Sequence, residues 1–337
     1  MEALVEYGLF LAKTITLLFG ILIAVSAVLA LAQKNKKQDG SLILSDLNEK
    51  YAEISSSLQA ETLPKGEGKK WVRTQKKEVK AKKSQDNLSR LFVIRFEGDV
   101  RASAVEELRE IISAIVEVAN KKDKVLLILE SAGGFVHGYG LAASQLQRLR
   151  QKGLHLTVAI DKLAASGGYL MACVAQKIIA APFAIVGSIG VMAQLPNFHR
   201  LLEKNDIEVE LHTAGEYKRT LTLFGKNTEK GRKKFQEELE ETHLLFKEHL
   251  FHHRPQIDIA QVATGEHWHA LHAIKLNLID EIETSDDFIL SHLKAQHVFE
   301  ISYEKKKSLS EKLTTTLSQL GVRAWHFFLQ GHGMTRS

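Results

Sequence analysis

At 337 residues, 45% hydrophobic and 25% charged, the chain can bury a substantial core and is too apolar to be disordered. Its single cysteine, Cys173, excludes an intramolecular disulfide framework and reads as a packed core thiol. The formal charge of +5 is local: residues 65–83 hold nine Lys/Arg against two acidic residues, a net of +7, which leaves −2 for everything else.

Residues 1–13 form a short leading segment. Residues 14–33 carry no charge, and these 20 residues span a bilayer core at about 1.5 Å per residue in a helix. Lys13 sits at the edge, where it can snorkel to the interface. Ala30-Leu31-Ala32 resembles a signal-peptide cleavage site, but the acidic Glu2 and Glu6 and the length of the apolar run favour a retained anchor. Lys34, Lys36 and Lys37 follow at once. By the positive-inside rule they place the rest of the chain in the cytoplasm.

Residues 34–90 read as a connecting region, with an amphipathic helix over 41–63 and a basic linker or exposed helix over 65–90. Such a charge run is either solvated or drawn to anionic lipid headgroups. Trp71 alone is too little aromatic interleaving for a nucleic-acid-binding segment, so no nucleic-acid partner is expected.

The folded domain spans 91–285. Its pattern predicts a strand over 91–96, a helix over 103–118, a strand over 125–129, a helix over 140–150, a strand over 156–160 and a small apolar helix over 168–175. Further strands are expected at 178–180 and around 188–192. Strands alternating with helices of this length predict an α/β fold, a parallel sheet core with flanking helices. The apolar stretch 178–195 is interrupted by Pro182, Gly187 and Gly190, and reads as buried strands in preference to a second span. A long amphipathic helix over 229–253 is stopped by Pro255. A turn and helix over 263–280 close the domain with 279–282. Residues 286–337 are a tail with one helix near its start, a strand over 298–303 and an amphipathic helix over 309–329.

Two glycine-rich turns carry the chemistry. In the first, Gly133 and Gly134 follow the strand over 125–129. In the second, Ser166 is followed by Gly167 and Gly168, at a strand-to-helix turn that presents a hydroxyl above the sheet. In a parallel sheet both turns lie at the C-terminal strand ends, the edge where ligands bind. Backbone N–H groups of Gly133 or Gly134 can therefore meet that of Gly167 across one cleft, as an oxyanion hole. The bland alternative is a pair of structural turns, or a phosphate cradle. A Walker A loop is excluded, since no Gly-Lys-Ser/Thr follows.

A serine nucleophile needs a base. Among the histidines, only His137 lies in a turn that must approach Ser166. A lysine serves equally if burial lowers its pKa from about 10.4 toward about 7–8, and Lys218 lies among Gly215, Tyr217 and Thr220.

Ser131-Ala132-Gly133-Gly134, Ala164-Ala165-Ser166-Gly167-Gly168-Tyr169, Gly187-Ser188-Ile189-Gly190-Val191 and Gly215-Glu216-Tyr217-Lys218, in that order, resemble the signal peptide peptidase A family of membrane serine peptidases, peptidase family S49. The resemblance covers about 91–280. It implies a ClpP/crotonase-like fold behind an N-terminal transmembrane helix, and a Ser–Lys dyad with Ser166 as nucleophile and Lys218, 52 residues on, as general base. It further implies oxyanion donors at Gly133 or Gly134 with Gly167, and Ser188 as a hydroxyl positioning the lysine. Ala132 departs from the proline usual in the family, which leaves that turn looser. The resemblance implies polypeptide substrates, a place in the bacterial inner membrane and a ring-like homo-oligomer in which the dyad is completed across subunits. No cofactor is implied.

The sequence admits two other readings. A crotonase-type acyl-CoA enzyme shares the fold but uses carboxylates, and a non-catalytic membrane interaction protein needs neither dyad residue. The histidine-rich stretch includes His249 and His253 at i, i+4, a metal-compatible spacing. No HExxH arrangement accompanies it, so no metal site is expected.

Overall fold

The computed structural model describes residues 2–33, 40–64, 66–83 and 88–305. Leu42–Tyr303 forms one compact unit, and the residues on either side group separately. Outside the compact unit, helix α1 (Glu2–Gln33) contains the uncharged run 14–33. The side chains of 22–33 lie outside the described residues, and among those described no helix is long and apolar enough to cross a membrane. The helix expected over 309–329 also lies outside them.

The stretch expected as one helix over 41–63 is a strand, β1 (Gly40–Asp46), followed by helix α2 (Leu47–Thr62). Leu42 and Leu44 are two residues apart, a spacing that suits a strand as well as a helix face. Asp46 then starts the helix by capping it, its carboxylate accepting from Glu49 N at 3.1 Å. The basic stretch forms helix α3 (Glu67–Lys83).

Strand β2 (Arg90–Gly98), helix α4 (Val105–Val118), strand β3 (Lys124–Ser131), helix α5 (Val136–Gln151) and strand β4 (His155–Ile160) follow the predicted alternation. An additional strand, β5 (Leu163–Ala165), intervenes before the serine turn, so Ser166 leaves β5 and not β4. Helix α6 (Gly167–Ala172), strand β6 (Lys177–Ala180) and strand β7 (Ile185–Gly187) come next. The strand expected around 188–192 does not form, because Gly187 turns the chain with a φ of +103° and ends β7.

Helix α7 (His199–Lys204) is the only regular element between β7 and helix α8 (Glu229–His253). Helix α9 (Ile259–Val262) comes next, and where one turn and helix were expected over 263–280 the chain makes strand β8 (His267–His269), helix α10 (Ala270–Ala273) and a 3₁₀ turn. Strand β9 (Glu281–Ile282), helix α11 (Ser285–His292) and strand β10 (His297–Lys305) complete the described chain.

The sheet runs β1-β10-β2-β3-β4-β6-β9, with β5 branching from β3 to β7 and on to β8. From β10 to β9 the neighbours are parallel, as are β3–β5 and β5–β7; β8 is antiparallel to β7. Two of its strands, β1 and β10, come from outside 91–285. Both faces are covered, which is why the strands read as continuous apolar runs. Phe92, Ile94 and Phe96 pack on the side of α4, α5 and α6, while Leu91 and Val93 pack with Leu47 and Phe288 on the other. Five buried residues of α4, Val105, Leu108, Ile111, Ile112 and Ile115, fix that helix to the sheet, each contributing about 2 kcal/mol.

Helix α8 is docked at its end. Phe246 and Leu250 are buried, and the buried Arg254 beyond it holds Asp280 through two hydrogen bonds of 2.8 and 2.9 Å. Pro255 follows, where the helix was expected to stop.

Candidate active site

Four strands bring their C-terminal ends to one edge. Register pairs Gly98 with Ser131, Ser131 with Ala164, and Ala165 with Gly187. Each strand then releases its chain into a tight turn, and the turns meet.

Ser166 sits directly after the Ala165–Gly187 pair. Its N–H donates to Gly187 O at 2.8 Å and its carbonyl accepts from Leu170 N at 2.9 Å. Its backbone is held at φ +52°, ψ −119°, a conformation L residues rarely adopt, costing on the order of 1–3 kcal/mol. The surrounding structure imposes it: Tyr169, fully buried two residues into α6, anchors that helix by donating from its hydroxyl to Leu278 O at 2.7 Å. The result is a half-buried serine on a strained turn, at the N-terminus of a helix.

The Gly133 turn touches it. Gly133 has φ +87°, and a Cβ there would lie 2.6 Å from Gly167 N and 2.8 Å from Ser166 Cβ, so only glycine fits. The Gly133 N–H is already committed, donating to Ser131 Oγ at 3.0 Å. Gly134 N–H and Gly167 N–H have no acceptor among the described hydrogen bonds. Of the alternatives left open by the sequence, Gly134 is therefore the residue of its turn with a donor to offer.

Behind these turns lie residues that sequence reasoning did not single out for the site. Tyr139 is fully buried, and its hydroxyl lies 2.5 Å from Ser131 Oγ and donates to Asp99 O at 2.8 Å. The loop after β2 joins in through Val100 O, which accepts from Phe135 N at 2.8 Å. One tyrosine among small residues in Gly138-Tyr139-Gly140 was the only sequence signal for this layer.

Ser188 stands beside Ser166 on the adjacent strand end. It is half-buried at φ +52°, with its N–H donating to Glu266 O at 2.6 Å. The Trp268 ring fills the space above Gly187, 2.8 Å from where a Cβ would be.

Lys218 is not brought to Ser166 within the described chain. It is exposed, in a stretch without regular structure, and its backbone N–H closes a turn onto Gly215 O at 3.2 Å. No hydrogen bond joins its amine to Ser166 or Ser188 among the described residues. Glu216, the nearest acid in sequence, is paired with Lys230 instead. The segment from Gly190 to Thr220 is exposed almost throughout, including Met192 (88%), Leu201, Ile207 and Leu211.

The histidines fall elsewhere. His137 is exposed in the first turn of α5 and stacks on Phe135, with ring centroids 5.7 Å apart. His249 bonds to Leu170 O at 3.1 Å, and His253 lies 2.9 Å from both Arg150 and Gln147. Among the described residues, no group of three or more His, Cys, Asp or Glu side chains could hold a metal ion.

The chain matches the model of the peptidase family S49 N-terminal region over residues 2–146 and that of peptidase family S49 over residues 148–298. It is 48% identical over 338 residues to the Haemophilus influenzae protein named "Probable protease SohB", covering 96% of each chain. The chain belongs to peptidase family S49. A protein of the same name from Buchnera aphidicola subsp. Schizaphis graminum is 50% identical over 323 residues, 94% of each chain. Among solved structures, the 1510-N membrane-bound stomatin-specific protease aligns with 60% of this chain and 84% of its own, at 11% identity and a TM-score of 0.42. Both S49 matches together take in every turn at the site edge, from Gly98 to Ser188, and Lys218.

Proposed function

We propose that this S49 peptidase is a membrane-anchored serine endopeptidase in which Ser166 is the nucleophile and Lys218 the general base. The observation that carries the reading is the contact of the two glycine turns around a strained, half-buried serine. Gly134 and Gly167, whose N–H groups have no acceptor among the described hydrogen bonds, support a reading of these turns as donors to an oxyanion.

In the reaction, neutral Lys218 takes the proton of the Ser166 hydroxyl as its oxygen bonds to the peptide carbonyl carbon. The carbonyl oxygen becomes an oxyanion and accepts from Gly134 and Gly167, donors worth about 2.7–4 kcal/mol each in comparable sites. The tetrahedral species collapses, the C–N bond breaks, and the lysine ammonium gives its proton to the leaving amine. Water, deprotonated by the same lysine, then attacks the acyl-enzyme and returns Ser166 to its starting state.

A lysine acts as a base only when neutral, which requires removal from water. Lys218 is exposed on a single chain, on a segment rich in exposed apolar side chains. Both facts favour a homo-oligomer in which this segment packs against a second copy and Lys218 reaches a serine there. We assign the uncharged run 14–33 as the single-pass anchor in the inner membrane, with its basic flank on the cytoplasmic side. Membrane-associated polypeptides, signal peptides among them, are the substrates this arrangement suits. Ser188 is assigned to holding the lysine amine.

A fluorophosphonate probe tests the nucleophile directly. Wild type is expected to be labelled at Ser166 and Ser166→Ala to take up no label. Labelling that survives in Ser166→Ala overturns the assignment.

A further inference from the structure

Gly133 and Gly134 follow Ala132, and nothing in those three residues is stiff enough to fix where the Gly134 N–H points. The turn is instead held by a buried layer beneath it. Ser131 Oγ accepts from Gly133 N at 3.0 Å, and the Tyr139 hydroxyl lies 2.5 Å from that same Ser131 oxygen and 2.8 Å from Asp99 O.

The shortest bonds give the protons one run, with Gly98 O a more distant acceptor for the Ser131 hydroxyl at 3.5 Å. Asp99 O is an acceptor, so Tyr139 donates to it. Tyr139 has one hydroxyl proton, so Ser131 donates to the Tyr139 oxygen. Gly133 N–H is a donor, so Ser131 accepts from it. The outcome is a directed chain from Gly133 N–H through Ser131 and Tyr139 to Asp99 O, in which each bond polarises the next. Burial pushes the Tyr139 phenol above its ordinary range, so it keeps its proton at neutral pH.

Tyr139 also touches the second turn. Its ring occupies the space over Gly167, where a Cβ would lie 2.7 Å from Tyr139 Cδ2. One side chain thus braces both donor-bearing turns, by its hydroxyl through Ser131 and by its ring against Gly167.

We propose that Tyr139 is a positioning residue that sets the separation and direction of the Gly134 and Gly167 N–H groups, acting through Ser131 on the first and by direct packing on the second. It touches no reacting atom. Its effect is confined to the charged transition state, because ground-state binding does not depend on those two donors being aimed at an oxyanion. The proposal rests on the reading of Ser166 as nucleophile.

The test uses the full-length protein in detergent with a fluorogenic peptide. Tyr139→Phe keeps the ring on Gly167 and removes the tie to Ser131. It is expected to lower kcat about tenfold with KM within about twofold, and to weaken a peptide aldehyde inhibitor, whose hemiacetal oxygen mimics the oxyanion, by a similar factor. Ser131→Ala breaks the same chain at its other link and is expected to match it. The double variant is expected to be no worse than the poorer single variant, as for two groups acting as one unit. A kcat within twofold of wild type in both single variants, or a loss confined to KM, overturns the proposal. If Tyr139→Phe does not fold, Ser131→Ala alone carries the same two readouts. Ser166→Ala separates the levels: full activity in it overturns the serine reading, whereas loss of activity there with unchanged kcat in Tyr139→Phe and Ser131→Ala overturns only the role of Tyr139.

Discussion

Ser166 and Ser188 leave neighbouring parallel strands at the same register, each one residue past the Ala165–Gly187 pair, and both do so at φ +52°. Two non-glycine residues in this conformation, side by side, are a concentration of backbone strain where the hydroxyls are wanted. Ser188→Gly removes the strain with the hydroxyl, while Ser188→Ala removes the hydroxyl alone. Peptidase activity is expected to fall equally in the two. Thermal denaturation is expected to show the alanine variant less stable than the glycine variant by about 1 kcal/mol. Equal stability of the two variants would remove the strain from the account.

Gly133→Ala places a methyl group against Gly167 N and Ser166 Cβ at a φ of +87°. The two turns must separate to admit it. Activity is expected to drop at least about 100-fold, the size of effect seen when one oxyanion donor is lost. Stability, measured by urea unfolding, is expected to fall by about 1–3 kcal/mol.

Ser166→Ala and Lys218→Ala each abolish cleavage if both are catalytic. Mixing the two inactive proteins under conditions that allow subunit exchange distinguishes how the dyad is built. Recovery of activity is expected, since some sites then combine an intact serine from one copy with an intact lysine from another. The same segment supplies a physical check: Met192→Asp, at an 88% exposed side chain, is expected to reduce the molecular mass seen by light scattering and activity together. Activity in a strictly monomeric wild type contradicts assembly across copies.

His253 links stability to pH. Burial, then His249, Arg150 and His252, lower its pKa from the usual 6.5 to about 4. Arg150 donates to Nδ1, and the Gln147 amide nitrogen lies 2.9 Å from Nε2. The unfolded chain binds this proton first as pH falls, so the contribution to stability is complete above about pH 6.5 and is lost from there down to about pH 4. Discounted for the partial exposure of the ring, on the order of 1 kcal/mol rides on this one group. His253→Gln is expected to flatten the dependence of unfolding free energy on pH across that window, and an unchanged slope would assign the effect elsewhere.

How much of this was legible in the sequence depended on how local the cause was. The apolar strand runs and the spacing of α4 exposed the α/β alternation, and Pro255 marked the end of α8, because each is decided by residues within a few positions. The short strand β5 was hidden, since three residues carry no period. Leu42 and Leu44 suited both a strand and a helix, and only pairing with β10 decides for the strand. At the site, the glycine turns announced themselves through composition. The Ser131–Tyr139–Asp99 layer did not, because its members belong to three separate elements and look, in sequence, like an ordinary strand end, a core aromatic and a loop acid.

Strand β10 lies between β1 and β2, so β1 meets the rest of the sheet only through a partner about 250 residues further along. Asn48 binds the same distant region, accepting from Val298 N at 2.7 Å and donating to Leu293 O and Gln296 O. During synthesis β1 is therefore made well before its sheet neighbour β10, which follows all of the core strands from β2 to β9. That edge of the sheet can close only once residues 297–305 have been made. Contacts of such long sequence separation fold slowly. The peptidase is thus translated in one order and built in another, and its last described strand is the one that joins its first to the rest.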